Sequence, residues 1–277
     1  MGMRVSTNIS AINAQRNLVG SQRSIGKAMA QLASGSRINI AADDAAGLAI
    51  SEKFKSSIRS AAQAQRNAND GISMVQTAEG GLSEISNIVT RLRELGIQAA
   101  SDTVGDTERG FLDKEVQQLK SEAQRIASVT TWGTTKLLDG SSPTFDFQVG
   151  LYNNKEQDRI SFAAGQNIAT LDALGLSGLD YTKKEGAQDA LARLDKAQNT
   201  TNGIRASLGA LQNRLTSTVD NLGVAQENMS AANSRIRDTD VAMASSEMTR
   251  SNILLQAGTA TLAQANQVNQ LALKLIG

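Results

Sequence analysis

From Ala187 the sequence steps by threes and fours through Ala190, Leu194, Ala197, Thr201, Ile204, Leu208, Leu211, Leu215, Thr218, Leu222, Ala225, Met229, Ala232 and Ile236, and none of these positions is charged. A proline-free stripe of about seven heptads fits a long helix packed along another helix. At about 1.5 Å per residue such a helix runs roughly 75 Å, whereas a compact chain of this size has a diameter of about 50 Å. The stripe therefore predicts a mainly α fold, an elongated rod of long antiparallel helices in coiled-coil packing.

The N-terminal half offers the partners. One stripe runs from Phe54 through Ile58, Ala61, Ala68, Ile72, Val75 and Leu82. It continues through Ile85, Val89 and Leu92 after an expected one-position shift near Gly80-Gly81. A second stripe, Leu112, Val116, Leu119, Ala123 and Ile126, follows the turn-forming run from Ser101 to Asp106, which predicts a helical hairpin. Between these halves the pattern changes. Thr144 to Val149 alternates apolar and polar, Asn153-Asn154 offers a turn, and Arg159 to Phe162 pairs back, giving a small β-hairpin region over about 137–180.

Composition removes most chemistry. There is no histidine and no cysteine, which excludes histidine relays, imidazole-bound metals and disulfides. The formal net charge of +1 gives no steering toward nucleic acid or an anionic membrane. No window resembles a membrane span or a cleaved signal peptide. Gly20 to Lys27 lacks the spacing and the Ser/Thr of a phosphate loop, and Asp43-Asp44 reads as a helix cap, since adjacent carboxylates diverge on a helix. No cofactor, metal or catalytic group is expected.

The two ends are unusual. No acidic residue precedes Asp43, and the basic segment carries Ile9, Ile12, Val19 and Ile25 at helical spacing. Residues 251–273 hold no charge but many amides, too polar for lipid and too uncharged for an ordinary wet surface. A 3/4 seam through Leu254, Ala257, Thr261, Gln264, Val268, Leu271 and Leu275 is expected there. Buried amides need partners, so both ends are read as ordering together on assembly with other copies. Heptads alone leave a scaffolding coiled coil and a polymer subunit equally open; two partner-demanding ends favour an open polymer.

Residues 32–39 (LASGSRIN), 42–47 (ADDAAG) and 66–73 (RNANDGIS) closely resemble the N-terminal half of bacterial flagellin. Residues 234–240 (SRIRDTD), 252–258 (NILLQAG) and 262–268 (LAQANQV) resemble its C-terminal half. The resemblance implies a minimal, core-only flagellin without outer variable domains. Its inner-core domain would comprise 1–43 with 235–277, and its helical-bundle domain 44–234. It implies a non-enzymatic structural subunit of the extracellular flagellar filament, with a hook-filament junction protein as the alternative. It further implies export through the flagellar channel without a cleaved signal, a secretion chaperone at the C-terminal helices, and hook-junction and filament-cap partners.

On this reading Ile9, Ile12, Val19, Ile25, Leu254, Leu262, Val268, Leu271 and Leu275 form the assembly interface. The resemblance also assigns Arg91, Leu95, Gln98 and Glu115 to recognition by Toll-like innate receptors, with Leu95 as the apolar contact. Leu273, Leu275 and Ile276 are assigned to cytosolic immune sensors.

Overall fold

The computed structural model describes residues 7–274, with side-chain surroundings as far as Gln267. Five helices dominate: α1 (Ile9–Ser34), α2 (Ala45–Ala99), α3 (Asp106–Val129), α4 (Lys184–Arg237) and α5 (Val241–Lys274). Four short strands lie between α3 and α4: β1 (Thr131–Trp132), β2 (Thr135–Lys136), β3 (Thr144–Gln148) and β4 (Arg159–Ala163). The chain divides into two compact units, residues 1–58 with 228–277, and residues 59–227.

In the first unit α1 and α5 run antiparallel. The Asn8 side chain caps α1 by accepting from the Ala11 amide at 3.0 Å, and its Nδ2 donates to the Ala265 carbonyl at 2.9 Å. At the other end the Thr239 amide donates to the Gly35 carbonyl at 3.0 Å. The shared face of α1 is Ala11, Ala14, Leu18, Ser21, Ile25, Ala28 and Leu32; that of α5 is Ala244, Met248, Ser251, Leu255, Gly258, Leu262 and Ala265. The expected α5 seam is thus corrected by one residue: Leu254, Ala257, Thr261 and Gln264 are exposed. Small residues win the inner face because the helices approach closely. A Cβ on Gly258 would lie 2.7 Å from Leu18 Cδ2.

Gly258→Val therefore forces the pair apart in a seam that buries little else, an overpacking cost of about 1–3 kcal/mol. We expect amide exchange in α1 and α5 to speed up by about fivefold to a hundredfold, with exchange in residues 59–227 unchanged; rates in the two helices equal to those of the parent chain would contradict this packing.

Both helix breaks of this unit are tied together. Gly35 ends α1 in the left-handed region (φ 67°), where a glycine pays no Cβ penalty. Ser36 and Asp238 form an isolated antiparallel bridge, the Arg37 amide donates to the Arg237 carbonyl at 2.6 Å, and the Arg37 guanidinium donates to the Ile236 carbonyl. Asp44 caps α2, as its sequence position suggested, whereas Asp43 folds back on the loop that precedes it. Asp44 Oδ1 accepts from the Gly47 amide at 2.8 Å, while Asp43 Oδ2 accepts from the Asn39 and Ile40 amides. Lys27 lies 2.9 Å from Asp43, and its ammonium, with those amides, holds the carboxyl below its usual range. Gly20 and Gly26 sit inside α1, so no phosphate loop exists there.

The second unit is a bundle whose core is lined by the predicted α4 stripe. Ala187, Ala190, Leu194, Ala197, Thr201, Leu208, Leu215 and Leu222 are buried. On α2 the buried face is Ala61, Ala64, Ala68, Gly71, Val75, Ala78, Leu82, Ile85, Val89, Leu92, Gly96 and Ala99. This is an unbroken alternation of threes and fours, so the expected shift at Gly80-Gly81 does not occur. Small residues at positions 64, 71 and 78 carry the register and let neighbours in; Phe147 packs its ring 3.2 Å from where a Cβ on Gly71 would lie.

The strands form two antiparallel pairs, β1 with β2 and β3 with β4. The first pair was not anticipated; it is a tight turn at Gly133 (φ 60°). The second is the predicted hairpin, with Phe145 opposite Phe162 and Phe147 opposite Ile160. The segment 171–181 then lies along α3, read by a polar stripe on that helix. Gln124 accepts from the Leu171 amide, the Lys120 ammonium donates to the Ser177 and Leu179 carbonyls, and Asp113 accepts from the Tyr181 amide. The buried Tyr181 hydroxyl donates to the Leu92 carbonyl at 3.0 Å, and burial pushes its pKa up to about 12. No helix among the described residues is long and apolar enough to cross a membrane.

Candidate assembly interface

Each terminal helix carries a second 3/4 stripe beside the one it uses within the chain. On α1 this is Ile9, Ile12, Arg16, Val19 and Arg23, all exposed. On α5 it is Leu254, Ala257, Thr261 and Gln264. Ile12 and Leu254 keep 48% and 53% of their surface in solvent, costly for large aliphatic side chains that have no partner. Of the expected interface residues, Ile9, Ile12, Val19 and Leu254 therefore stand free, whereas Ile25 and Leu262 line the α1–α5 seam. The side chains of Val268 and Leu271, and all of Leu275, lie outside the described residues.

The first unit also exposes Met29, Ile40, Ile50, Val241, Met243 and Ile253, so large exposed apolar side chains concentrate there although the second unit is longer. Such apolar surface marks association rather than a ligand pocket. Among the described residues no group of three or more His, Cys, Asp or Glu could hold a metal ion.

In the second unit Arg91 bridges two carboxylates. Its Nε donates to Glu115 Oε1 at 3.0 Å across α2 and α3, and its Nη1 donates to Glu94 Oε2 at 3.0 Å. Glu94 first, then Glu115, hold the guanidinium above its ordinary value. Gln98 is exposed one helical turn beyond Leu95. Leu95 itself is 1% exposed and belongs to the bundle core. It cannot be a direct apolar contact in this fold, because the α2 face that bears it packs inward; Arg91, Gln98 and Glu115 remain on the surface. Leu273 lies in α5 beyond the described side chains, and Leu275 and Ile276 lie outside the described residues.

Sequence reasoning missed two buried cations, Arg109 and Lys120. Both look like ordinary members of charged helix faces, and only the backbone carbonyls they meet, from other segments, reveal their role.

Two family models match. Residues 5–143 fit the bacterial flagellin N-terminal helical region and residues 191–276 the bacterial flagellin C-terminal helical region. The flagellin of Halalkalibacterium halodurans is 44% identical over 99% of this chain and 100% of its own length. That of Bacillus subtilis is 39% identical over 99% of this chain and its full length. The alignment with the polar flagellin F of Vibrio parahaemolyticus spans 377 positions, so that relative carries segments absent from these 277 residues.

Among solved structures, Bacillus cereus flagellin superposes with a TM-score of 0.51 at 31% identity, covering 61% of this chain and 94% of the other. A Vibrio parahaemolyticus chain, suggested to be a flagellar hook-associated protein, superposes with a TM-score of 0.58 at 12% identity, covering 71% of this chain and all of the other. At that identity the likeness shows a shared fold alone, and no observation favours the junction role. With both halves fitting the family and full-length relatives sharing two residues in five, the chain belongs to the bacterial flagellins, in a short form limited to their core.

Proposed function

We propose that the free stripes of α1 and α5 are where copies of this chain meet, and that the segments 1–43 and 235–277 form the inner core of the resulting tube. As a flagellin the chain is a structural subunit of the flagellar filament and not an enzyme; it polymerises with itself. The observation that carries the finer reading is the pair of unfilled heptad stripes beside a filled seam. A helix with two adjacent stripes is suited to two neighbours, and heterologous contacts that do not close build open filaments. Val268, Leu271 and Leu275 extend the α5 stripe in sequence and are assigned to the same interface.

Export as an extended chain through the flagellar channel to the cell exterior, without a cleaved signal, belongs to this reading. So does a chaperone that shields the C-terminal helices beforehand, together with hook-junction and cap proteins at the filament ends. Recognition by Toll-like receptors is assigned to the exposed Arg91, Gln98 and Glu115. Cytosolic sensing is assigned to Leu273, Leu275 and Ile276. Salt-induced assembly of the purified chain, followed by electron microscopy, tests the central claim. Long ordered fibres from subunit alone are expected; persistent monomers would point to the junction role instead.

A further inference from the structure

The chain has no cysteine, so its seven methionines are its only sulfur. The described ones divide sharply. Met74 lies in the bundle core and Met229 and Met248 are half-buried, whereas Met29 and Met243 expose 59% and 72% of their surface. Both belong to the first unit. Met29 sits in the last two turns of α1 and Met243 in the first turn of α5. The bonds that join Gly35 to Thr239 and Ser36 to Asp238 hold those two helix ends side by side. The same end of the pair carries the exposed Ile40 and Val241.

We propose that Met29 and Met243 form an oxidation-sensitive site that switches the free subunit between assembly-competent and assembly-blocked states, the co-reactant being a peroxide. The inference rests on the reading that the exposed faces of α1 and α5 are buried between copies. A thioether lone pair attacks one oxygen of hydrogen peroxide, the O–O bond breaks, and the departing hydroxide takes the proton of the transferred hydroxyl and leaves as water. Sulfur is oxidised by two electrons as the peroxide is reduced. The sulfoxide replaces a flexible apolar side chain with a polar one, which opposes burial at a protein interface. Once subunits are packed together the same two sulfurs are covered, so assembled filaments resist the reaction that stops free subunits.

The test uses the purified full chain with hydrogen peroxide, peptide mass mapping and sedimentation of assembled fibres. Met29 and Met243 gain one oxygen first and Met74 last. Fibre yield and growth rate fall about tenfold or more once both are converted. Methionine sulfoxide reductases for both epimers restore assembly in step with the loss of that oxygen. The Met29→Leu, Met243→Leu subunit assembles alike before and after peroxide, and preassembled filaments oxidise more slowly at both sites than free subunits do.

Unchanged assembly with both sulfurs converted overturns the proposal, as does failed restoration by the reductases after full reduction. A polar substitution at Ile12 and Leu254, assayed without peroxide, reports separately on the interface reading. If that variant assembles normally the interface assignment fails; if only the peroxide arm fails, the interface stands and the switch does not.

Discussion

A subunit carrying Ile12→Asp together with Leu254→Asp forms no filaments, while its bundle unit melts at an unchanged temperature. Neither side chain lies in the α1–α5 seam, and each is about half exposed within the chain, so the substitutions remove little intrachain packing. In a filament both positions are covered by neighbouring copies on the proposed reading. Each loses about half of the roughly 1.5–3 kcal/mol that complete aliphatic burial is worth, since half of its surface is already covered within the chain, and adds a carboxylate whose desolvation costs several kcal/mol more. Every 1.4 kcal/mol changes an association constant about tenfold, so the critical concentration for assembly rises by at least about a thousandfold. Sedimentation and electron microscopy after salt addition read the loss, and circular dichroism reads the intact bundle. Ile12→Leu with Leu254→Met keeps the apolar volume and is expected to assemble. Normal filaments from the aspartate variant would move the interface to another face of these helices.

Position along the chain decided how much of this was legible. The α4 stripe is legible residue by residue because alanine, leucine, isoleucine and threonine fill its core positions and no charge interrupts them. On α2 the sequence suggests a false shift, since the true register runs through Ala64, Gly71 and Ala78, small residues that carry almost no hydrophobic signal. The same physics displaced the α5 seam by one residue. Leu254 outweighs Ser251 and Gly258 on any hydropathy scale, yet close approach of Leu18 requires the small residues inside and leaves the leucine outside. That misreading is informative: the stripe picked out by hydropathy is the one left exposed, and the stripe the monomer uses is chosen by steric fit. The ties between Gly35 to Arg37 and Ile236 to Thr239 were invisible, because backbone hydrogen bonds between segments about 200 residues apart leave no local pattern.

Arg109 is the second place where a large effect is expected. Its side chain is buried at 7% exposure in the first turn of α3, where the positive end of the helix dipole disfavours a cation. The hairpin explains it. The C-terminal end of α2 has carbonyls without intrahelical partners and no glycine at its cap. The guanidinium donates to the Ala99 carbonyl and the Ser101 carbonyl, each at 2.9 Å. Asp106 accepts from Nη1 at 2.7 Å and, with Glu108, offsets the local positive field of α3.

Arg109→Met keeps much of the apolar stem but leaves those carbonyls without donors at a site closed to most water. Two charge-assisted bonds at about 1.5 kcal/mol each give a loss of about 3 kcal/mol, or about 6–12 °C in the melting temperature of a unit this size. Arg109→Lys restores the charge without the planar fork and recovers only part of it, because one ammonium does not reach both carbonyls in the same geometry. Calorimetry of the three chains, with amide exchange at the end of α2, measures both effects. A methionine variant melting within about 1 °C of the parent would mean that water replaces the guanidinium at little cost, and that α2 ends where it does for reasons of packing alone.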